Sequence, residues 1–157
     1  MESAPELVSF VERMIRNLNA LDANAMVDAF SREPGLLTIG GDPDEWYEGF
    51  EAASALWRVQ FQELEPRGIE QQTDVQELVA WKEGTVGWIA CRLRQAIEGR
   101  GPFLVRLTAV LHEEGAYWRI VQWHASLGMP NEETLGFELT TDVDEILTMV
   151  QDEPAPV

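Results

Sequence analysis

With 157 residues and 45% hydrophobic content, the chain suits one domain around one core, burying about 70% of the surface its unfolded form exposes. Lys and Arg total 11 against 28 Asp and Glu, a formal charge of −17, and a field of that sign repels phosphate backbones and anionic lipid, setting aside nucleic acid and membrane as partners. Cys91 is the single cysteine, so one chain can build neither a disulfide nor a cysteine-rich metal site; with no basic leader and no apolar run near about 18 residues, a cytoplasmic protein is expected.

Over residues 4–20, Leu7, Val8, Val11, Met14, Ile15 and Leu18 recur at spacings of three and four, predicting an amphipathic helix with Ser3 as N-cap and Pro5 in its first turn. Asp22 is placed to cap a second short helix whose apolar face is Met26, Val27 and Phe30, stopped by Pro34-Gly35. Residues 36–39 read as a short strand and Gly40-Gly41-Asp42-Pro43 as a turn. Ala53, Leu56, Trp57, Phe61 and Leu64 then carry a third helix over 50–64, running to Pro66.

Beyond Ile69 the period changes. Glycine turns at Lys82-Glu83-Gly84, Glu98-Gly99-Arg100-Gly101 and Glu113-Glu114-Gly115 separate runs rich in β-branched and aromatic residues. Four long antiparallel strands follow, over 69–81, 85–97, 103–112 and 117–127, and strands of that length must twist and bend around helices on their hollow side. Past Gly128-Met129-Pro130, Thr141 opens a capping pattern with Asp144, and Val143, Ile146, Leu147 and Val150 form the stripe of a short terminal helix. A tail begins at Asp152.

Strand alternation groups Thr73, Val75, Glu77, Val79 and Trp81 with Trp88, Arg92 and Arg94, setting Glu77 diagonal to Arg92. The opposite face of the second long strand carries Ile89, Cys91, Leu93 and Ile97 and is greasier. Arg92 and Arg106, mid-strand among apolar neighbours, need an anion: either a bound carboxylate or enolate on a cationic floor, or an ion pair with Glu77. Arg106 shares its face with Thr108.

His124 puts an imidazole on the last strand where general acid or base work is chemically apt, the alternative being a satisfied interior or interface histidine. A one-residue bulge would move it from one face to the other. Glu77 is the acid whose apolar surroundings would raise its pKa against the pull of Arg92, and Asp28 is a weaker alternative. Trp46, Tyr47, Trp57, Trp88 and Trp123 offer rings for a flat hydrophobic ligand, or plain core. His112 and His124 alone give no credible metal-ligand set, and no Walker or dinucleotide fingerprint is present. No cofactor is expected.

The order helix, helix, short strand, helix, meander, together with Leu-Thr-Ile-Gly-Gly-Asp-Pro-Asp-Glu-Trp-Tyr-Glu-Gly over 37–49, Arg-Leu-Thr-Ala-Val over 106–110, Trp-Arg-Ile-Val-Gln-Trp-His-Ala-Ser over 118–126 and Pro-Asn-Glu-Glu over 130–133, resembles the SnoaL-like family of the nuclear transport factor 2-like superfamily. The resemblance implies an α+β fold in which a cone-shaped, curved antiparallel sheet wraps three N-terminal helices, with a short C-terminal helix. It implies a domain over 1–128 and an extension over 129–157. It also implies a conical pocket, without fixing a reaction. Arg92 resembles the pocket arginine of the kinase association domain in the same superfamily. Both sheet faces are largely apolar and helices can cover only one, so a homodimer through the sheet is expected, as this fold commonly forms.

Two functions stay open. One is a cofactor-independent isomerase, cyclase or hydrolase with His124 or Glu77 as proton-transfer group. The other is a non-catalytic ligand-binding or dimeric assembly module. In both, the ligand is a small hydrophobic or anionic molecule held by Trp46, Tyr47, Trp57, Trp88, Arg92, Arg106 and Thr108.

Overall fold

The computed structural model describes residues 1–65, 71–97 and 100–151. The chain divides into two compact units, Met1–Leu127 and Gly128–Val157. Pro66 and Ile69, expected at the end of the third helix and the start of the first long strand, lie outside the described residues, as do Glu98-Gly99 and the tail.

The first unit begins with β1 (Glu2–Ser3), which pairs with the strand that follows the third helix through Ser3 opposite Trp81. Ser3 therefore does not cap α1 (Pro5–Asn19): its backbone is held in the sheet, the N-cap is Ala4, and no side chain caps the helix. The Ala4 amide donates instead to Ala80 O at 3.1 Å. Helix α1 buries Leu7, Phe10, Val11, Met14, Ile15 and Leu18, and Phe10 is the member its spacing did not single out. At its far end the Asn19 side chain behaves as a short strand. Its Nδ2 donates to Thr73 O at 3.0 Å and its Oδ1 accepts from Thr73 N at 2.8 Å.

Asp22 caps α2 (Ala23–Asp28) as the sequence predicts, its Oδ1 accepting from Ala25 N at 3.0 Å. The hairpin β2 (Leu37–Ile39) and β3 (Trp46–Glu48) leads into α3 (Gly49–Leu64). Gly49 makes that junction at φ 82°, where a Cβ would be strained, and its amide donates to Leu36 O at 2.8 Å.

The meander is β4 (Gln71–Glu83), β5 (Val86–Ile97), β6 (Arg100–Glu114) and β7 (Tyr117–Leu127). The sheet is curved and unclosed, with order β1-β4-β5-β6-β7-β2-β3. Every neighbour is antiparallel except β2, which runs parallel to β7 with Thr38 beside Trp123. Side chains of β5 alternate cleanly: Ile89, Cys91 and Leu93 are buried on the inner face against the helices, while Trp88, Arg92 and Arg94 are exposed on the outer one.

Two bulges break this parity elsewhere. In β4 the register shifts between Val75 and Glu77, so Thr73 and Val75 oppose Gln95 and Leu93 on the inner face while Glu77 opposes Arg92 outside. The expected single face from Thr73 to Trp81 is thus split by the extra residue Gln76. In β7 the shift falls at Val121, between the pairs Leu111↔Ile120 and Val110↔Gln122. Trp123 and Ala125 consequently join Ala109 and Leu107 inside, and His124 joins Thr108 outside.

The second unit holds α4 (Asn131–Leu135), ended by Gly136 at φ 78°, and α5 (Val143–Gln151). Asp142, not Thr141, caps α5, its Oδ1 accepting from Glu145 N at 3.0 Å one position nearer the helix. Val143, Ile146 and Leu147 of the expected stripe are exposed. Among the described residues no helix is long and apolar enough to cross a membrane.

Candidate functional site

Helix α3 lies over the inner face without filling it, leaving a cavity of about 300 Å³. Leu56, Trp57, Phe61 and Leu64, at helical spacing, form its roof. Leu93 and Ile97 of β5, Val105 and Leu107 of β6, and Trp123 and Ala125 of β7 form its floor, with Leu18 of α1 at one side. One wall is stiffened by rings: Trp57 and Trp123 meet edge to face at 5.6 Å and 89°, and Phe61 stands 5.7 Å from Trp57. Phe30 closes the cluster behind them at 6.0 Å from Trp123.

Polar groups are few and differ in how well they are met. At the loop rim, Glu45 Oε1 accepts from Gln60 Nε2 at 2.9 Å and Oε2 accepts from Asp42 N at 3.0 Å, so its carboxylate is held in place. Thr73 faces Gln95 across β4 and β5, its backbone clamped by Asn19. By contrast, Thr38 is fully buried and Trp57 is 7% exposed, yet Thr38 Oγ1 and Trp57 Nε1 find no hydrogen-bond partner among the described residues. Glu45 and Glu63 are the ionisable groups in the lining, and no Lys, Arg or His is among the described residues there.

Of the residues that sequence reasoning singled out, Trp57 and Trp123 line the cavity. Tyr47 pairs with Thr38 and shares its face, but is not in the lining; burial, followed by the charges of Glu45 and Asp42, holds its phenol above the usual tyrosine range. Trp46 is exposed on β3, with Nε1 donating to Glu48 at 3.2 Å. Trp88, Glu77, Arg92, Arg106, Thr108 and His124 all lie on the outer face, away from α3. The cationic floor expected from the two arginines is therefore not part of this cavity. Arg92 Nη1 pairs with Glu77 Oε1 at 3.2 Å, both side chains more than half exposed, and Arg106 Nη2 donates to Leu127 O at 3.5 Å. Asp28 pairs with Arg32 at 3.4 Å on the surface of α2.

The residues not foreseen are Thr38, Gln60, Thr73 and Gln95. The signal that points to them is the greasier parity of β5, which a helix must cover, and Gln95 sits on that parity between Leu93 and Ile97. Cys91 lies on the same face in the core, where burial pushes its thiol up to about 12. Among the described residues no group of three His, Cys, Asp or Glu could hold a metal ion.

The SnoaL-like domain matches residues 7–131. Among curated proteins none matches. Among solved structures, a nuclear transport factor 2-like protein of unknown function from Pseudomonas putida KT2440 superposes with a TM-score of 0.73 at 14% identity, covering 90% of this chain and 99% of its own. A cystatin-like domain of unknown function from Nostoc punctiforme gives 0.65 at 13% identity, covering 94% and 93%. A candidate aromatic ring hydroxylase from Novosphingobium aromaticivorans gives 0.62 at 11% identity, covering 79% and 87%. At these identities the likeness concerns the fold.

Proposed function

This chain belongs to the SnoaL-like domain family, a family of small-molecule-binding domains with the nuclear transport factor 2-like fold, and we propose that it binds a small, predominantly apolar molecule in the cavity between α3 and the inner face of the sheet. The observation that carries this is the cavity itself: about 300 Å³ walled mainly by aliphatic and aromatic side chains, with a few polar ones, Glu45, Gln60, Thr73 and Gln95, among them. Burial of apolar ligand surface supplies the affinity, at about 25 cal/mol per Å² before the cost of association.

A neutral fluorescent hydrophobe, N-phenyl-1-naphthylamine, tests the reading. Its emission should rise on adding the protein and the rise should vanish in Ala125→Phe, which fills the floor, but persist in Trp88→Ala on the outer face. The opposite pattern would place the dye on the exposed sheet and overturn the reading.

Proton-transfer chemistry of the isomerase, cyclase or hydrolase kind, if carried out here, falls to Glu45, the carboxylate held at the rim by Gln60. His124 and Glu77 belong instead to the outer face, with Arg92, Arg106, Thr108 and Trp88. That face exposes Val79, Trp81, Val86, Trp88 and Leu104, and we assign it to a homodimer through the sheet, since so much apolar surface on one side favours a second copy over water.

A further inference from the structure

Glu45 sets a condition on what occupies the cavity. Its side chain folds back over Gly40, where a Cβ would overlap Glu45 Oε2, and the Gly40 amide closes the loop by donating to Glu45 O at 2.9 Å. The carboxylate is thus seated at the rim, with Oε1 accepting from Gln60 Nε2 at 2.9 Å and Oε2 from Asp42 N at 3.0 Å. Both donors are neutral and each oxygen keeps a second acceptor site, so the charge is positioned without being neutralised. Glu63, three residues beyond Gln60 and on the same side of α3, brings a second carboxylate to the lining. Neither acid forms an ion pair among the described residues.

A ligand entering the cavity takes water away from Glu45, and the ligand's own chemistry decides what replaces that water. A hydrocarbon or a lone acceptor oxygen replaces nothing. A carboxylate would meet two like charges inside a chain of formal charge −17. An ammonium donates to the free acceptor sites and offsets the charge, and it is the charged group that rings such as those of Trp57, Phe61 and Trp123 attract. We infer that the ligand is an apolar amine, its protonated nitrogen held at the rim by Glu45 in the added field of Glu63, and its hydrocarbon body on the floor of β5, β6 and β7. This rests on the cavity being a binding site, as proposed above.

Isothermal titration calorimetry of the full chain at neutral pH with three probes of matched shape tests it: 1-(2-naphthyl)ethylamine, 2-acetylnaphthalene and 2-naphthoate. The amine should bind about tenfold more tightly than the ketone, the gain of one hydrogen bond to a charged group discounted for a half-exposed rim, and the carboxylate most weakly. Glu45→Gln should erase most of the amine-to-ketone ratio and Glu63→Gln should lower it by less, with circular dichroism reporting that each variant is folded. Glu51→Gln removes an exposed charge from the same helix outside the cavity and should leave the ratio as it is. An amine that binds no better than the ketone, or a carboxylate that binds best, overturns the ligand class and leaves the cavity a binding site. So does a ratio that survives Glu45→Gln, or one that falls as far in Glu51→Gln, which would trace the preference to the charge of the whole chain. Should Glu45→Gln fail to fold, a ratio unmoved by Glu63→Gln overturns it equally. Failure of all three probes to bind overturns the binding reading and this inference together.

Discussion

Replacing Asn19 with Ala isolates the joint that holds α1 to the cavity's edge. The Asn19 amide makes two hydrogen bonds to the backbone of Thr73, at 3.0 and 2.8 Å, and Thr73 is itself 2% exposed and lines the cavity. At about 0.5–1.5 kcal/mol net per hydrogen bond, Asn19→Ala should cost about 1–3 kcal/mol. That is a sizeable share of the roughly 5–15 kcal/mol by which domains of this kind are stable. With a urea slope of about 1–3 kcal/mol per molar, the midpoint should fall by about 1 M with the slope unchanged. Asn19→Asp is the sharper variant, because it keeps the acceptor for Thr73 N–H but sets a carboxylate against Thr73 C=O; it should be at least as destabilising as Ala at neutral pH. Urea denaturation followed by tryptophan fluorescence reads both. A loss below about 0.5 kcal/mol in both variants, less than one net hydrogen bond, would refute the claim that this side chain fastens the helix to the sheet.

Thr38→Val should raise stability in the absence of ligand by about 1 kcal/mol, since it removes a buried hydroxyl without a partner at nearly constant volume; a lower melting temperature would show that the hydroxyl is already satisfied. Lys82 lies against Glu6 and Glu2, and its hydrogen bond to Glu6 holds the Glu6 carboxyl below its ordinary value while Glu6 holds the Lys82 ammonium above its own. The contribution of Glu6 is therefore present above its unfolded pKa of about 4.3 and is lost as pH falls through the lowered folded value. That of Lys82 is present below about 10.4 and is lost as pH rises through the raised one. The melting-temperature gap between the natural chain and Lys82→Met should accordingly hold from mid-acid to mid-alkaline pH and shrink toward pH 3; an unchanged gap there would contradict the pairing. Trp88→Glu should shift sedimentation equilibrium from dimer to monomer, and a natural chain that is already monomeric at micromolar concentration would refute the assembly.

The sequence made the strands and helices readable because their signals are local. The stripe along α1, Asp22 before α2 and the glycine turns of the meander each state one element within a few residues. The faces were less readable, because a bulge adds one residue without altering the composition on either side. Gln76 sends Thr73 and Glu77 to opposite faces, and Val121 does the same for Ile120 and His124 relative to unbroken alternation. Thr38 was hidden for another reason: its three-residue strand gains its place from parallel pairing with β7, far along the chain. The greasier parity of β5 was the usable clue, since burial by α3 and α1 goes to the face with more to bury.

The six tryptophans allow the central claim to be read directly from indole N–H resonances in a ¹H–¹⁵N spectrum titrated with 2-acetylnaphthalene, with the Trp57 signal assigned through Trp57→Phe. The Trp57 indole and the Thr38 amide should shift in a saturable manner, while the indoles of Trp46 on β3 and Trp88 on the outer face stay in place. Saturable movement at Trp88 with Trp57 unmoved would mean that the ligand sits on the exposed sheet and that the cavity is not the site.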